Sequence, residues 1–452
     1  MHHAPNHQTA GLHGMNEGMT REELAAWLQL VQAKGIGHGT VRRLLAAFGL
    51  PQQILAQSTA ALEQLLSAKQ IAALRTPDAE TLALIETTWQ WLQQGAAPAQ
   101  ADAQAGIQTS SPIKNTQRSS NLPVQRRIVT LGDPAYPSVL LEMADPPVLL
   151  YAMGQVECLQ QPQPRIAMVG SRNPTPQGAS NARAFGKAFA EMGWTVVSGL
   201  ALGVDGAAHE GALQAALPEQ VGVVGLATIA VVGTGLDRVY PRQHRDLAHR
   251  IVQHGVILSE SPLGTPPLSH HFPKRNRIIA GLSHGVLVVE AALQSGSLIT
   301  ARLAGEQGKE VFAIPGSIHA SQSRGCHALI KQGAKLVESA QDVLEELRTV
   351  LPAGRQAVVS SIAEKSMEHT DPSAAADADS AVDADASTVP TVPGDTTAVL
   401  LQALGHDPVG LDALLARTGL DAATLQAKLL ELELLGMVGR LPGGLFQRIG
   451  TA

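Results

Sequence analysis

The groups best able to do chemistry crowd into Phe272-Pro273-Lys274-Arg275-Asn276-Arg277, where three cations and an amide fill four consecutive positions behind an aromatic ring. An apolar run follows from Ile278, so the spacing predicts a helix beginning near Pro273 with the cations at its start. Helix dipoles favour acids at that end, and a cationic first turn carries an electrostatic cost that a bound polyanion reverses. The alternative is a basic turn that only solvent touches. Phe272 is placed either to support a base or to anchor the helix start in the core.

Small-residue turns supply the second set of groups. Gly170-Ser171-Arg172, Ser198-Gly199-Leu200, Gly233-Thr234-Gly235-Leu236-Asp237 and Pro315-Gly316-Ser317 each follow a short aliphatic run. Glycine lets backbone approach a ligand closely, and the N-terminus of a following helix offers free N–H groups to an anion. Short strand-to-helix turns need glycine in any case, so it is their clustering at one sheet edge that predicts a phosphate-binding surface. None of them is GxGxxG or a Walker A sequence, since Gly233-Thr234-Gly235 lacks the third glycine, and no dinucleotide, ATP or other cofactor is expected. Asp205 and His209, four apart on one helical face, either pair as acid and base or brace the helix start. His270 and His271 have no acid or cysteine at metal-ligand spacing, so no metal is expected. There is no GxSxG elbow. The constellation reads as a binding protein and not an enzyme.

These turns need elements to hold them. Ile166–Val169, Thr195–Val197, Thr228–Val232, Val256–Leu258, Gly285–Val289, Val311–Ile314 and Lys335–Val337 are continuous aliphatic runs separated by helical patterns. Strands without apolar–polar alternation are buried on both faces, which predicts a doubly wound, Rossmann-like α/β sheet, mostly parallel, over 127–348. Ligands in such sheets bind at the carboxyl ends of the strands. Ahead of it, 21–94 has helical spacing around Lys34-Gly35-Ile36-Gly37-His38-Gly39-Thr40, a helix-hairpin-helix pattern or a plain helical hairpin. Residues 1–20 are expected to be disordered, and 95–126, rich in Ala, Gln, Ser and Pro, to be a flexible insertion. An acidic Ala/Asp-rich linker spans 349–394. Three helical stripes and a hairpin around Pro442-Gly443-Gly444 then predict a winged helix over 395–452.

The net charge of −6 argues against coating duplex DNA by bulk electrostatics. Much of that excess lies in the linker, where Glu364, Glu368, Asp371, Asp377, Asp379, Asp383 and Asp385 face only Arg355 and Lys365. A local basic site is therefore compatible with the total. The winged helix lacks the positive face that duplex binding needs, which favours protein docking for it. Cys158 and Cys326 fit no paired or ligand spacing and point to a reducing compartment. No apolar run reaches membrane-spanning length and the N-terminus does not read as a signal peptide, so a cytoplasmic protein without membrane insertion is expected.

Taken together, Gly170-Ser171-Arg172, the run from Ser198 to His209, Gly233 to Asp237 with Tyr240-Pro241, Ser259-Glu260, Phe272 to Gly281, Glu290 to Ala301 and Ile314-Pro315-Gly316 closely resemble the DNA-processing protein A (DprA/Smf) family. The resemblance covers the central domain, and the flanking segments fit the longer family members. It implies a Rossmann-like core that binds single-stranded DNA, forms a homodimer through that core, and protects incoming strands and helps load RecA recombinase during natural transformation and recombination. It further implies that Arg172, Arg242, Lys274, Arg275 and Arg277 line the strand path, with Ser171, Phe272 and Asn276 in the same motifs. Gly170, Gly199, Gly233 and Gly235 would leave room for phosphates. Two departures from the family stand out, a longer connection over 214–227 and the insertion at 95–125.

A rival from another class is a nucleotide-cleaving phosphoribohydrolase of a related Rossmann-like fold, with Glu290 as general acid and base. Those enzymes carry Pro-Gly-Gly-x-Gly-Thr before the glutamate, and here Gly285-Val286-Leu287-Val288-Val289 stands in its place. A transcription factor acting through the winged helix is the third reading, opposed by the acidity of that domain.

Overall fold

The computed structural model describes residues 19–94, 124–215, 225–348, 396–404 and 408–449. The expectations for the N-terminus over 1–20, the insertion over 95–126, the long connection at 214–227 and the linker over 349–394 fall wholly or mostly outside these. The chain divides into two units, Met1–Gln94 and Gly95–Ala452.

The first unit is helical: α1 (Arg21–Gln32), α2 (His38–Phe48), α3 (Pro51–Ala56), α4 (Thr59–Leu62), α5 (Ala68–Arg75) and α6 (Ala79–Gln93). Thr20 and Glu23 form a capping box that starts α1, satisfying N–H groups that the first turn cannot. Leu24, Leu28, Leu44, Ile54, Leu62 and Leu74 are fully or almost fully buried and build its core. Gly35 takes φ +82° in the turn between α1 and α2, where a side chain would be strained. Lys34 in that turn pairs with Asp78 at 2.9 Å.

The second unit opens with β1 (Gln125–Thr130) and β2 (Leu149–Gly154), an antiparallel pair. Then follow β3 (Arg165–Val169), α7 (Pro176–Glu191), β4 (Thr195–Ser198), α8 (Val204–Ala215), β5 (Thr228–Val232), α9 (Arg245–His254) and β6 (Gly255–Ser259). The sequence continues through α10 (His271–Leu282), β7 (Gly285–Val288), α11 (Ser297–Glu306), β8 (Glu310–Ala313), α12 (Arg324–Lys331), β9 (Lys335–Leu336) and α13 (Ala340–Leu347). The sheet order is β1-β2-β6-β5-β4-β3-β7-β8-β9. Pairs among β3 to β9 are parallel, and β2 meets β6 antiparallel. From β3 the order runs outward both ways, so the topological switch lies between β3 and β7.

Alternation along the strands feeds two cores. Ile166 and Met168 of β3 point to one face, where they meet Phe185 and Phe189 of α7 and Leu344 and Leu347 of α13. Ala167 and Val169 point to the other face with Ile278, Ile279 and Leu282 of α10 and Ala301 and Ala304 of α11. This period of two is what a strand covered on both sides requires. The edge pair β1–β2 was not among the expected strands, and β1 starts at Gln125, inside the segment read as insertion.

The last part of the chain forms α14 (Thr396–Leu404), β10 (Val409–Gly410), α15 (Leu411–Thr418), α16 (Ala422–Leu434), β11 (Val438–Leu441) and β12 (Leu445–Arg448). Its core is Leu400, Leu404, Leu414, Leu425, Leu429, Leu432 and Phe446. The plan is a winged helix, with one short strand, β10, added to the expected hairpin. Asp421 caps α16 by accepting from Ala423 N and Thr424 N, and Lys428 on that helix pairs with Glu431 at 2.8 Å. Among the described residues, no helix is long and apolar enough to cross a membrane.

Candidate nucleic-acid interface

Three strand ends and one helix converge on a single pocket at the carboxyl edge of the sheet. Its lining includes Arg172 after β3, Gly199 and Ala201 after β4, Gly233 and Thr234 after β5, Tyr240 and Pro241, and Phe272 and Arg275 from α10. The cavity is about 140 Å³. It suits one phosphate group or the edge of one base, not a dinucleotide.

The floor is built around two buried charged residues, Asp205 and Arg275. Asp205, in the first turn of α8, accepts from Gly199 N at 3.1 Å and Ala201 N at 3.3 Å, which fixes the β4–α8 turn. Burial pushes its pKa up, while Arg275 and the two backbone N–H groups pull it down. Arg275 is only 7% exposed. Its Nη1 donates to Val231 O, and its Nε finds no hydrogen-bond partner. Burial pushes the guanidinium pKa down and Asp205 opposes that shift. A buried N–H without an acceptor costs about 1–3 kcal/mol, so this guanidinium is short of one acceptor.

The walls are aromatic. Tyr240 and Phe272 lie 5.8 Å apart at 38°, and the Arg172 guanidinium sits 5.4 Å from the Phe272 ring centre. That contact holds an exposed cation at the mouth by cation–π attraction. His244 Nδ1 lies 3.0 Å from Leu200 O and ties the segment after Pro241 to the β4–α8 turn. Leu200 itself has φ 57°, in the left-handed region that non-glycine residues enter at a cost.

The helix carrying the basic cluster starts at His271, two residues before the expected Pro273. Proline is tolerated there because the first turn of a helix has no intrahelical use for its N–H groups. The helical phase then separates the cations. Lys274 is exposed, Arg275 turns inward to Asp205, and Arg277 turns to the opposite side. Arg277 makes a bidentate ion pair with Glu260 and a further contact with Asp145 at 3.3 Å. With its side chain 14% exposed, it braces α10 and takes no part in the pocket lining. Asn276 donates to Gly296 O at 3.4 Å and likewise points away from it.

The glycines divide in the same way. A Cβ on Gly199 would fall 1.8 Å from Arg275 Nη1, on Gly170 2.7 Å from Val204, and on Gly235 2.4 Å from Asp237 Oδ1. Their missing side chains make room for protein atoms. Gly233 alone of the four meets nothing closer than 3.4 Å, where a Cβ would lie in ordinary contact with His271. Ser171 accepts from Asn173 N in a local turn. Arg242 is exposed just beyond Pro241 and outside the pocket lining.

The candidate catalytic groups are committed elsewhere. His209 Nδ1 lies 2.7 Å from Thr228 Oγ1, whose proton goes to Val196 O, so the imidazole donates to Thr228 and not to Asp205. Burial pushes its pKa down to about 3. Glu290 accepts from Thr175 N at 2.9 Å and Thr175 Oγ1 at 2.6 Å, and burial pushes its pKa up. It braces the N-terminus of α7 and takes no part in the pocket lining. Among the described residues no cluster of His, Cys, Asp and Glu could hold a metal ion. What sequence reasoning missed is the partnership of Tyr240 with Phe272 and of Asp205 with Arg275. The only signal for either was that Tyr240 and Asp205 sit in the turns already singled out.

Comparison with known proteins matches this geometry to a family. The family described as DNA recombination-mediator protein A matches residues 127–348, and the DprA winged helix domain matches residues 373–444. Protein Smf of Escherichia coli (strain K12) is 41% identical over 310 residues, which cover 68% of this chain and 74% of that protein. DNA processing protein DprA of Streptococcus pneumoniae is 49% identical over 214 residues, 47% of this chain and 72% of that one. The X-ray structure of DNA processing protein A from Streptococcus pneumoniae aligns with a TM-score of 0.51 at 34% identity, covering 73% of this chain and 99% of that one. With a family model matched over 127–348 and relatives matched over most of their length, this chain belongs to the DNA-processing protein A (DprA/Smf) family.

Proposed function

We propose that this chain is a DNA-processing protein that binds single-stranded DNA at the pocket between Arg172, Tyr240, Phe272 and Arg275. The observation that carries the reading is a pocket lined by the Arg275 guanidinium, with an exposed arginine held on an aromatic face at its mouth. A backbone phosphate pairs with the exposed Arg172 at the mouth, and exposed Lys274 supplies further charge. Phosphates and aromatic faces bind without regard to sequence, as a protein handling arbitrary strands requires. A pocket this narrow admits one backbone and excludes duplex.

The phosphoribohydrolase reading loses its central group, because Glu290 is held by Thr175 and stands outside the pocket lining. No catalytic step is assigned to the site. Protection of incoming strands, RecA loading during natural transformation, a homodimer through the sheet domain and a cytoplasmic setting complete the proposal on the strength of family membership. The test is single-strand binding by the parent, Arg172→Ala and Lys274→Ala. Salt-sensitive binding that either change weakens supports the site, and binding indifferent to both overturns it.

A further inference from the structure

The helix that follows the pocket wall carries a second basic surface. The turn before α9 and α9 itself expose Arg242, Arg245, His249 and Arg250. Spacings of three, four and one residues bring these side chains to one side of the helix. Leu247, Ala248, Ile251 and Val252 on the other side are buried.

Pairing sets this surface apart. Exposed Arg183, Lys187, Arg238 and Arg302 each have a carboxylate between 2.8 and 3.6 Å away. Arg242, Arg245 and Arg250 make no ion pair among the described residues. The only acid on α9 is Asp246, in the first turn, where the helix dipole favours it. Guanidinium groups without an ion pair on one helix repel one another, and an anion lying across them offsets that repulsion.

The surface is continuous with the pocket. Tyr240 and Pro241 line the pocket, and Arg242 follows them directly. His244 fixes the start of α9 to the β4–α8 turn through Leu200 O. From Arg242 to Arg250 the helix rises about 12 Å, leading away from the rim.

Resting on the single-strand reading above, the geometry points to the outer face of α9 as the track along which the strand leaves the pocket. Arg245 and Arg250 contact successive backbone phosphates beyond the one at Arg275. These contacts carry no base information; they lengthen the site and set its salt dependence.

The test changes Arg245→Gln and Arg250→Gln together in the full chain. Fluorescence anisotropy is read with oligonucleotides of about six and about twenty nucleotides across a salt series. The short strand binds as to the parent. The long strand binds more weakly, and its log–log salt slope becomes shallower by about 1.4, two phosphates at about 0.7 each. Parent-like affinity and slope on the long strand overturn the track, as does an equal loss at both lengths. Arg172→Ala, run alongside, reports on the pocket separately: if it weakens neither length, the pocket reading fails whatever the α9 variant does.

Discussion

Arg275 lies buried at the position where the sequence alone suggests a solvent-facing phosphate ligand. Asp205 favours its charged form, and its Nε is buried without a hydrogen-bond partner. Arg275→Met removes a buried cation that favours the charged form of Asp205, together with the hydrogen bond to Val231 O. The variant is expected to melt well below the parent and to lose strand binding, whereas Arg172→Ala loses binding at an unchanged melting temperature. Equal melting of Arg275→Met and parent would show that the pair is not what holds the floor. His209 gives a separate signal in pH. Its pKa is held at about 3 against an ordinary 6.5. The unfolded chain therefore takes up a proton near pH 6.5 that the folded chain refuses until about pH 3, so stability falls on acidification through that window. His209→Leu should flatten this arm of the profile in urea melts between pH 6.5 and 4, and an unchanged slope would remove His209 from the account.

Helix α10 shows what an element adds to its residues. Read as a string, Lys274, Arg275 and Arg277 form one cationic cluster; wound into a helix, they face three directions. Arg277 fastens the helix to Glu260, 17 residues earlier, and to Asp145, 132 residues earlier. At the far end Lys309 donates to Ala280 O and Gly281 O at 2.8 Å, capping the carbonyls that the helix cannot satisfy. Arg277→Gln is expected to lower stability by about 2–3 kcal/mol in denaturant titrations, with single-strand affinity close to that of the parent. A loss of affinity as large as for Arg172→Ala, with stability intact, would return Arg277 to the strand path. The strands of this domain were legible because runs such as Thr228–Val232 are buried on both faces and so lack alternation. The edge strand β1 was not, since Arg126 and Arg127 interrupt it and its partner β2 is defined only by long-range pairing. The glycine turns were legible as turns, but which atoms fill the space beside Gly170, Gly199 and Gly235 depends on residues far away in sequence.

At the scale of the molecule, a chain of net charge −6 binds a polyanion only through a local surface. Arg172 and Arg275 converge at the carboxyl ends of β3, β4 and β5, which the doubly wound order places side by side. The winged helix carries Lys428 already paired with Glu431, so the account gives it no part in strand binding. Family and fold could be read from motif order because most of the motifs sit at strand ends, with Phe272 to Gly281 on α10. The pocket's internal pairings could not, because Arg172, Tyr240 and Phe272 come from three separate segments. The central claim is that a narrow pocket, and not a basic face, selects one strand. The most direct measurement is fluorescence anisotropy with single-stranded and duplex oligonucleotides of one sequence, for parent and Arg172→Ala. Tight, salt-sensitive binding of the single strand, much weaker binding of the duplex, and loss of the former in the variant is the predicted result. Duplex binding as tight as single-strand binding, and unaffected by Arg172→Ala, would contradict the account.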